Sequence, residues 1–278
     1  MIELNIDEYS RVIEPLKALE INTLFAQAVI NKQIPGKVYA DNAEEHKTFY
    51  IVHPYGMSLL LGKSDNKEFN AELVKYLLNS NGERKNVEFL QVYPPDWKPV
   101  IEMLAGSSLM GNSELGNGTQ DNKDKVIRYT RINFEFDINR YKDFKQHSGV
   151  DSFQIVKTSG QMFDNIQGAV IPKLFWKDAK DFEVNSAGYS LISGGDIAST
   201  AFAAFLMEGK LEIGIETSGK YRGKGYAALV CSALIDYCLA KGLEPVWSCR
   251  LENTASYNLA QKLGFVPTKE LPYYQLPV

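Results

Sequence analysis

Residues 211–227, LEIGIETSGKYRGKGYA, restrict the fold more than any other stretch of the chain. Leu211, Ile213 and Ile215 alternate with Glu212, Gly214 and Glu216, which is the period of a strand with one apolar and one polar face. A short polar turn follows. Glycines and a basic pair then open a helix whose Ala227, Val230, Cys231, Leu234, Ile235 and Cys238 recur at three and four residues, with Gly242 as its stop. Such a junction is a site in miniature. Amides of a first helical turn lack intrahelical acceptors, Gly223 and Gly225 let a ligand approach the backbone, and Arg222 and Lys224 add positive charge. An anion such as a pyrophosphate would be held there, although the glycine pattern alone also fits a turn that merely caps a strand.

The sequence on either side supports a sheet. Residues 189–192, 197–207 and 211–217 are strand-like and are joined by Ser193-Gly194-Gly195-Asp196 and Glu208-Gly209-Lys210, turns of hairpin length, so an antiparallel meander is expected. A strand at 245–249 follows the helix, and a right-handed crossover lays it parallel to 211–217. Ligands of such sheets collect outside the carboxyl ends of the strands, where the 222–225 loop also lies. Asn253 is a natural N-cap for a helix striped by Ala255, Leu259 and Leu263 and closed by Gly264. Residues 265–267 and 272–276 offer two last strand pieces. Further upstream, a strand is expected at 153–157 and short helices at 161–167 and 176–182.

The first half reads as a separate, smaller α/β unit. Helices are expected at 9–19, 21–31 and 69–78, a hairpin from 47–53 and 56–61, a strand at 87–93 and a helix after Pro94-Pro95-Asp96. A loop-like stretch at 106–125 precedes a strand at 126–136 and a polar helix at 137–149. The domain boundary is therefore placed between 145 and 146, giving domains 1–145 and 146–278.

A net charge of −4 and the absence of a long basic block argue against nucleic acid as a partner. No apolar run of membrane length occurs, so no membrane association is expected. Cys231, Cys238 and Cys249 lie among apolar residues without a disulfide pattern, which suits a reducing cytoplasm. His46, His53 and His147 are too scattered for a metal site.

The motif Arg222-Gly223-Lys224-Gly225-Tyr226-Ala227 resembles the R-x-x-G-x-A acyl-coenzyme A loop of the GNAT acetyltransferase superfamily. Asn253, Ser256, Leu259 and Lys262-Leu263-Gly264-Phe265 look like that superfamily's second signature at the usual distance. The combined stretches, with Trp176 and Phe182 before a Gly-Tyr strand, are most similar to the zwittermicin A resistance acetyltransferases. The resemblance implies a C-terminal GNAT fold with a mixed central sheet, preceded by an α/β domain that is itself a degenerate relative. It also implies acetyl-CoA as cofactor, held by Arg222, Gly223, Lys224, Gly225, Tyr226 and Ala227, with Asn253 on the pantetheine arm or acting as a cap.

The implied reaction is direct transfer of an acetyl group to an amine, which needs a proton acceptor and stabilisation of an oxyanion. Superfamily members often use a glutamate on the strand before the loop. Glu212, well inside the strand, is preferred over Glu216 near the turn, with a backbone amide of 211–216 facing the oxyanion. The family's tyrosine acid is replaced here by Ala260, and Tyr257, one turn earlier, is the candidate substitute. The expected acceptor is a small-molecule amine. A non-catalytic acyl-CoA sensor, a protein N-acetyltransferase and a purely structural protein are the alternatives. A homodimer is one way to cover an open sheet edge.

Overall fold

The computed structural model describes residues 1–115, 122–147 and 154–278. Phe153 and part of the 106–125 loop therefore lie outside the described residues. The chain divides into two compact units, Met1–Ile132 with Arg250–Glu252 and Lys269–Val278, and Asn133–Cys249 with Asn253–Thr268. This differs from the expected single crossing between 145 and 146. The chain passes from one unit to the other inside the strands Val126–Phe136, Ser248–Arg250 and Phe265–Leu276, and again after Glu252. No glycine- or proline-rich linker marks a crossing made within a strand.

The first unit contains β1 (Ile2–Glu3), α1 (Ile13–Lys17), α2 (Leu24–Ile30), β2 (Lys37–Ala40), β3 (Thr48–His53), β4 (Met57–Gly62), α3 (Lys67–Leu77), β5 (Glu88–Tyr93), α4 (Trp97–Ala105), β6 (Leu109–Gly111) and the start of β7 (Val126–Phe136). The second contains α5 (Ile138–His147), β8 (Gln154–Lys157), α6 (Gly160–Asn165), α7 (Ala179–Asn185), β9 (Gly188–Ser193), β10 (Asp196–Met207), β11 (Lys210–Thr217), α8 (Tyr226–Lys241), β12 (Glu244–Val246), β13 (Ser248–Arg250), α9 (Thr254–Lys262) and the start of β14 (Phe265–Leu276).

The two units share one topology. In the first, β1-β2-β3-β4 pair antiparallel in that order and β5 joins β4 in parallel after the crossover α3. In the second, β8-β9-β10-β11 pair antiparallel and β12 joins β11 in parallel after α8. Two helices separate the first strand from the second in each case. The expected meander and the parallel pairing after the crossover helix are both present, and the first unit repeats the strand order of the second. β1 and β2, with two and four residues, are too short to leave a period-two signature.

The first unit packs Leu60, Leu90, Val92 and Tyr50 of its sheet against Phe69, Leu73 and Leu77 of α3 and Trp97 and Ile101 of α4. Beside this core Glu88 is buried but satisfied: Tyr50 Oη and Tyr76 Oη donate to its carboxylate, and Arg84 Nε lies 3.5 Å from Oε2. In the second unit α8 buries Val230, Cys231, Leu234, Ile235 and Cys238. Burial pushes the Cys238 thiol up to about 12, so these cysteines act as core filler.

The elements α7 and β14 differ from the sequence reading. α7 starts three residues later than expected because Asp178 caps it, accepting from Asp181 N at 2.8 Å. Trp176 stays outside the helix and donates from Nε1 to Ala203 O at 2.7 Å. β14 is one strand rather than two pieces, since Pro267 and Pro272 each remove a donor without ending extended backbone.

Candidate active site

The site is built on β11. Register across β9, β10 and β11 produces three rows: Gly188, Phe202, Gly214; Tyr189, Ala201, Ile215; and Ser190, Thr200, Glu216. The Tyr189 ring meets Tyr237 of α8 at 6.4 Å, so the row with Ile215 lies on the α8 face. The opposite face carries Glu212, Gly214 and Glu216, as the alternation requires. A bulge between Ala203 and Phe205 brings Phe205 onto the face of Phe202, and the Phe175 ring packs against both at 5.6 and 5.4 Å. Gly214 is needed here because a Cβ would sit 2.5 Å from Phe202 Cζ. The buried hydroxyls of Thr158, Ser190 and Thr200 satisfy one another at 2.9 and 2.8 Å in a row that ends opposite Glu216.

β12 accompanies β11 only briefly. The parallel pairing covers Lys210 to Glu212 against Glu244 to Val246, and then the strands part. The expected continuous strand at 245–249 is broken at Trp247, and β13 is not in the five-stranded sheet β12-β11-β10-β9-β8. Trp247 is buried, with its ring 5.5 Å from Phe265 and its Nε1 donating to Ser256 Oγ at 3.2 Å, which turns the backbone away. Ser218 N donates to Ala198 O, so the backbone groups of Gly214 and Glu216 point to β10 as well. Those of Ile213, Ile215 and Thr217 therefore point to the edge that β12 has left. Among the described residues no strand pairs with that stretch of edge.

The open edge runs straight into the anion loop. Gly225 stands before α8 in a left-handed conformation (φ 78°, ψ 0°), and no side chain caps the helix. Gly223 has φ 77°, and at both glycines no heavy atom lies within 4 Å of the place a Cβ would occupy. The space at both glycines leaves room for a ligand against the start of the sixteen-residue helix, whose dipole favours an anion, although the Ala228 amide is already engaged with Gly225 O at 3.0 Å. The geometry fits a pyrophosphate.

The three loop cations differ in their engagement. Lys220 pairs with Asp196, whose carboxylate also accepts from Tyr221 Oη at 2.9 Å, and hydrogen bonding from Lys220 holds Asp196 below its usual range. Arg222 turns back onto β11, donating from Nε to Thr217 O at 3.1 Å and from Nη2 to Glu216 Oε1 at 3.3 Å. Lys224 makes no ion pair among the described residues; its Nζ stands 5.1 Å from the Tyr221 ring centroid.

Glu212 and Glu216 have different surroundings. Glu212 is 6% exposed, in the middle of the strand. Glu216 accepts from Ala169 N at 2.8 Å and Val170 N at 3.1 Å through Oε2 and from Arg222 through Oε1, so its carboxylate anchors a loop. Sequence reasoning had no signal for this anchor, since the partners are forty-six and forty-seven residues away. Asn253 caps α9, its Oδ1 accepting from Ser256 N at 3.2 Å. Tyr257 is half-buried with its ring 5.7 Å from Phe134, while Ala260 is fully buried one turn on.

The equivalent end of the first unit is closed. β4 and β5 stay paired from Met57/Phe89 to Leu61/Tyr93. The connection to α3 spans only residues 63–66, and Asn66 caps the helix by accepting from Phe69 N at 3.0 Å. At Gly62 (φ 98°) a Cβ would lie 2.0 Å from Lys47 O. Among the described residues, this end of the first unit has neither the parted strands nor the uncapped helix start seen in the second.

Comparison with known proteins agrees with this topology. The family model described as GNAT acetyltransferase matches residues 14–274. An uncharacterized N-acetyltransferase, YdfB, of Bacillus subtilis (strain 168) is 23% identical over 253 residues, covering 90% of this chain and 89% of that protein. The crystal structure of a GCN5-related N-acetyltransferase-like protein from Streptococcus suis 89/1591 has TM-score 0.72 at 21% identity, covering 98% of this chain and 100% of that one. A tandem GNAT protein from the clavulanic acid biosynthesis pathway has TM-score 0.62 at 9% identity, with 99% and 97% covered. With its repeated sheet order, its parted strands and a family match spanning nearly the whole sequence, this chain belongs to the GNAT acetyltransferase family.

Proposed function

We propose that the protein transfers an acetyl group from acetyl-CoA to the amine of a small-molecule acceptor. The observation that carries the reading is the parting of β12 from β11 beside a helix start with left-handed glycines and no side-chain cap. Acetyl-CoA would supply the activated acyl group and a thiolate leaving group. The amides at 223–227, with Lys224, are the residues to hold its pyrophosphate, and the outward N–H and C=O groups of Ile213 and Ile215 suit the amides of a pantetheine arm. Asn253 spends its side-chain oxygen on the cap and has its amide nitrogen for the arm.

Glu212 is the proposed base. It is buried, lies on the open stretch's strand, and faces away from α8, where an amine would enter from the aromatic side. Glu216, already accepting three donors, serves better as an anchor than as a proton acceptor. Tyr257 is the proposed proton donor. The likeness to zwittermicin A resistance acetyltransferases favours a small amine as acceptor. A second reading, a non-catalytic acyl-CoA binder, draws on the burial of Ala260 at the family tyrosine's position.

Thiol release from acetyl-CoA with a panel of small amines separates the two. Turnover by the native protein, lost in Glu212→Gln while CoA still binds, supports the transferase. Tight CoA binding without turnover of any amine supports the binder.

A further inference from the structure

We infer that Glu216 couples the anion loop to the segment 167–170, so that acyl-CoA binding loosens that segment. The inference rests on the acyl-CoA reading above. Its starting point is how the segment is held. Ile166 and Ile171 are buried anchors, and Gln167, Gly168 and Ala169 between them are exposed. The amides of Ala169 and Val170 both donate to Glu216 Oε2. Gly168 has φ 147°, and a Cβ there would lie 2.4 Å from both Cγ and Cδ of Glu216, so the backbone wraps directly over the carboxylate.

The other oxygen of that carboxylate faces the anion loop. Arg222 Nη2 donates to Oε1 at 3.3 Å, and the arginine side chain is 70% exposed while that of Glu216 is 10% exposed. An exposed guanidinium is the movable partner of the pair. A pyrophosphate at the helix start offers Arg222 a doubly charged, bidentate acceptor and competes with the single carboxylate oxygen. Once Arg222 leaves, Oε1 loses that donor, the carboxylate gains freedom about its terminal torsion, and its grip on the two amides weakens. Gly214 and Phe202 lie beside Glu216 on the same face of β11 and β10, so loosening the segment opens the aromatic side of the strand that carries Glu212. Glu216 thus positions the segment through Arg222 and does not touch the reacting atoms.

The coupling makes opposite demands on two variants. Glu216→Gln releases Arg222 from its competitor, and for an exposed pair this tightens binding of CoA by about two- to fivefold. Arg222→Ala weakens CoA binding and removes the link. The assay is amide hydrogen exchange at Ala169 and Val170, with CoA affinity by calorimetry. In the native protein, adding CoA is expected to speed exchange at both amides. Glu216→Gln exchanges fast with or without CoA, and in Arg222→Ala CoA no longer changes the rate. Weaker CoA binding in Glu216→Gln, or unchanged exchange in the native protein on saturation with CoA, overturns the coupling. If the native protein binds no CoA at all, it is the acyl-CoA reading that fails. Should Glu216→Gln not fold, the native and Arg222→Ala exchange data decide alone.

Discussion

Replacing Gly214 by alanine tests the packing that shapes the candidate active strand. A Cβ at this position would stand 2.5 Å from Phe202 Cζ and 2.8 Å from both Cε atoms. Carbon contacts settle at about 3.5–4.0 Å, so the ring has to retreat by roughly 1 Å. It has little room, because Phe202 is fully buried and the Phe175 ring centroid is 5.6 Å from its own. Overpacking of this kind costs about 1–3 kcal/mol. The companion change Phe202→Leu empties part of the same space and costs about 1–2 kcal/mol as a cavity. In the double variant the methyl occupies that cavity, so the two changes together should destabilise by at least about 1 kcal/mol less than their sum. Urea midpoints at constant slope are the readout. Strictly additive effects, or a neutral Gly214→Ala, would refute the claim that Phe202 covers Gly214.

Three further outcomes follow from the site and its surroundings. Glu212→Gln should lower turnover by about 10²–10⁴-fold with CoA affinity retained, the range for loss of a general base, as read by thiol release. Lys224→Ala should weaken CoA binding and flatten its salt dependence, whereas Lys220→Ala, whose charge is already matched by Asp196, should change both far less. His53 is buried with its Nδ1 accepting from Tyr55 N at 3.0 Å, and burial lowers it to about 4. Because the unfolded chain protonates this imidazole first, near 6.5, the stabilisation from keeping it neutral is complete above that pH. It is lost as the pH falls towards 4, by about 3 kcal/mol in full. His53→Gln should flatten stability between those limits, as seen in urea midpoints across pH.

The features whose physics is local were legible from the residues alone. The alternation of Leu211, Ile213 and Ile215 with Glu212, Gly214 and Glu216 fixed both the strand and its two faces, since side chains on a strand can only alternate. The stripe of α8, its glycine stop and the Asn253 cap were legible for the same reason. The tertiary structure decided everything that depends on partners distant in sequence. It broke the strand expected at 245–249 where Trp247 found Phe265 and Ser256, and that break opens the edge of β11. It sorted three similar cations into one matched by Asp196, one bound to Glu216 and one, Lys224, with no ion pair among the described residues. It also distinguished two glutamates that look alike along the strand, because Glu216 meets the backbone amides of a loop nearly fifty residues upstream while Glu212 is buried in mid-strand. Local sequence sets which groups are present and which way they face. Which of those groups remains available for chemistry depends on where the rest of the chain brings its own charges and amides.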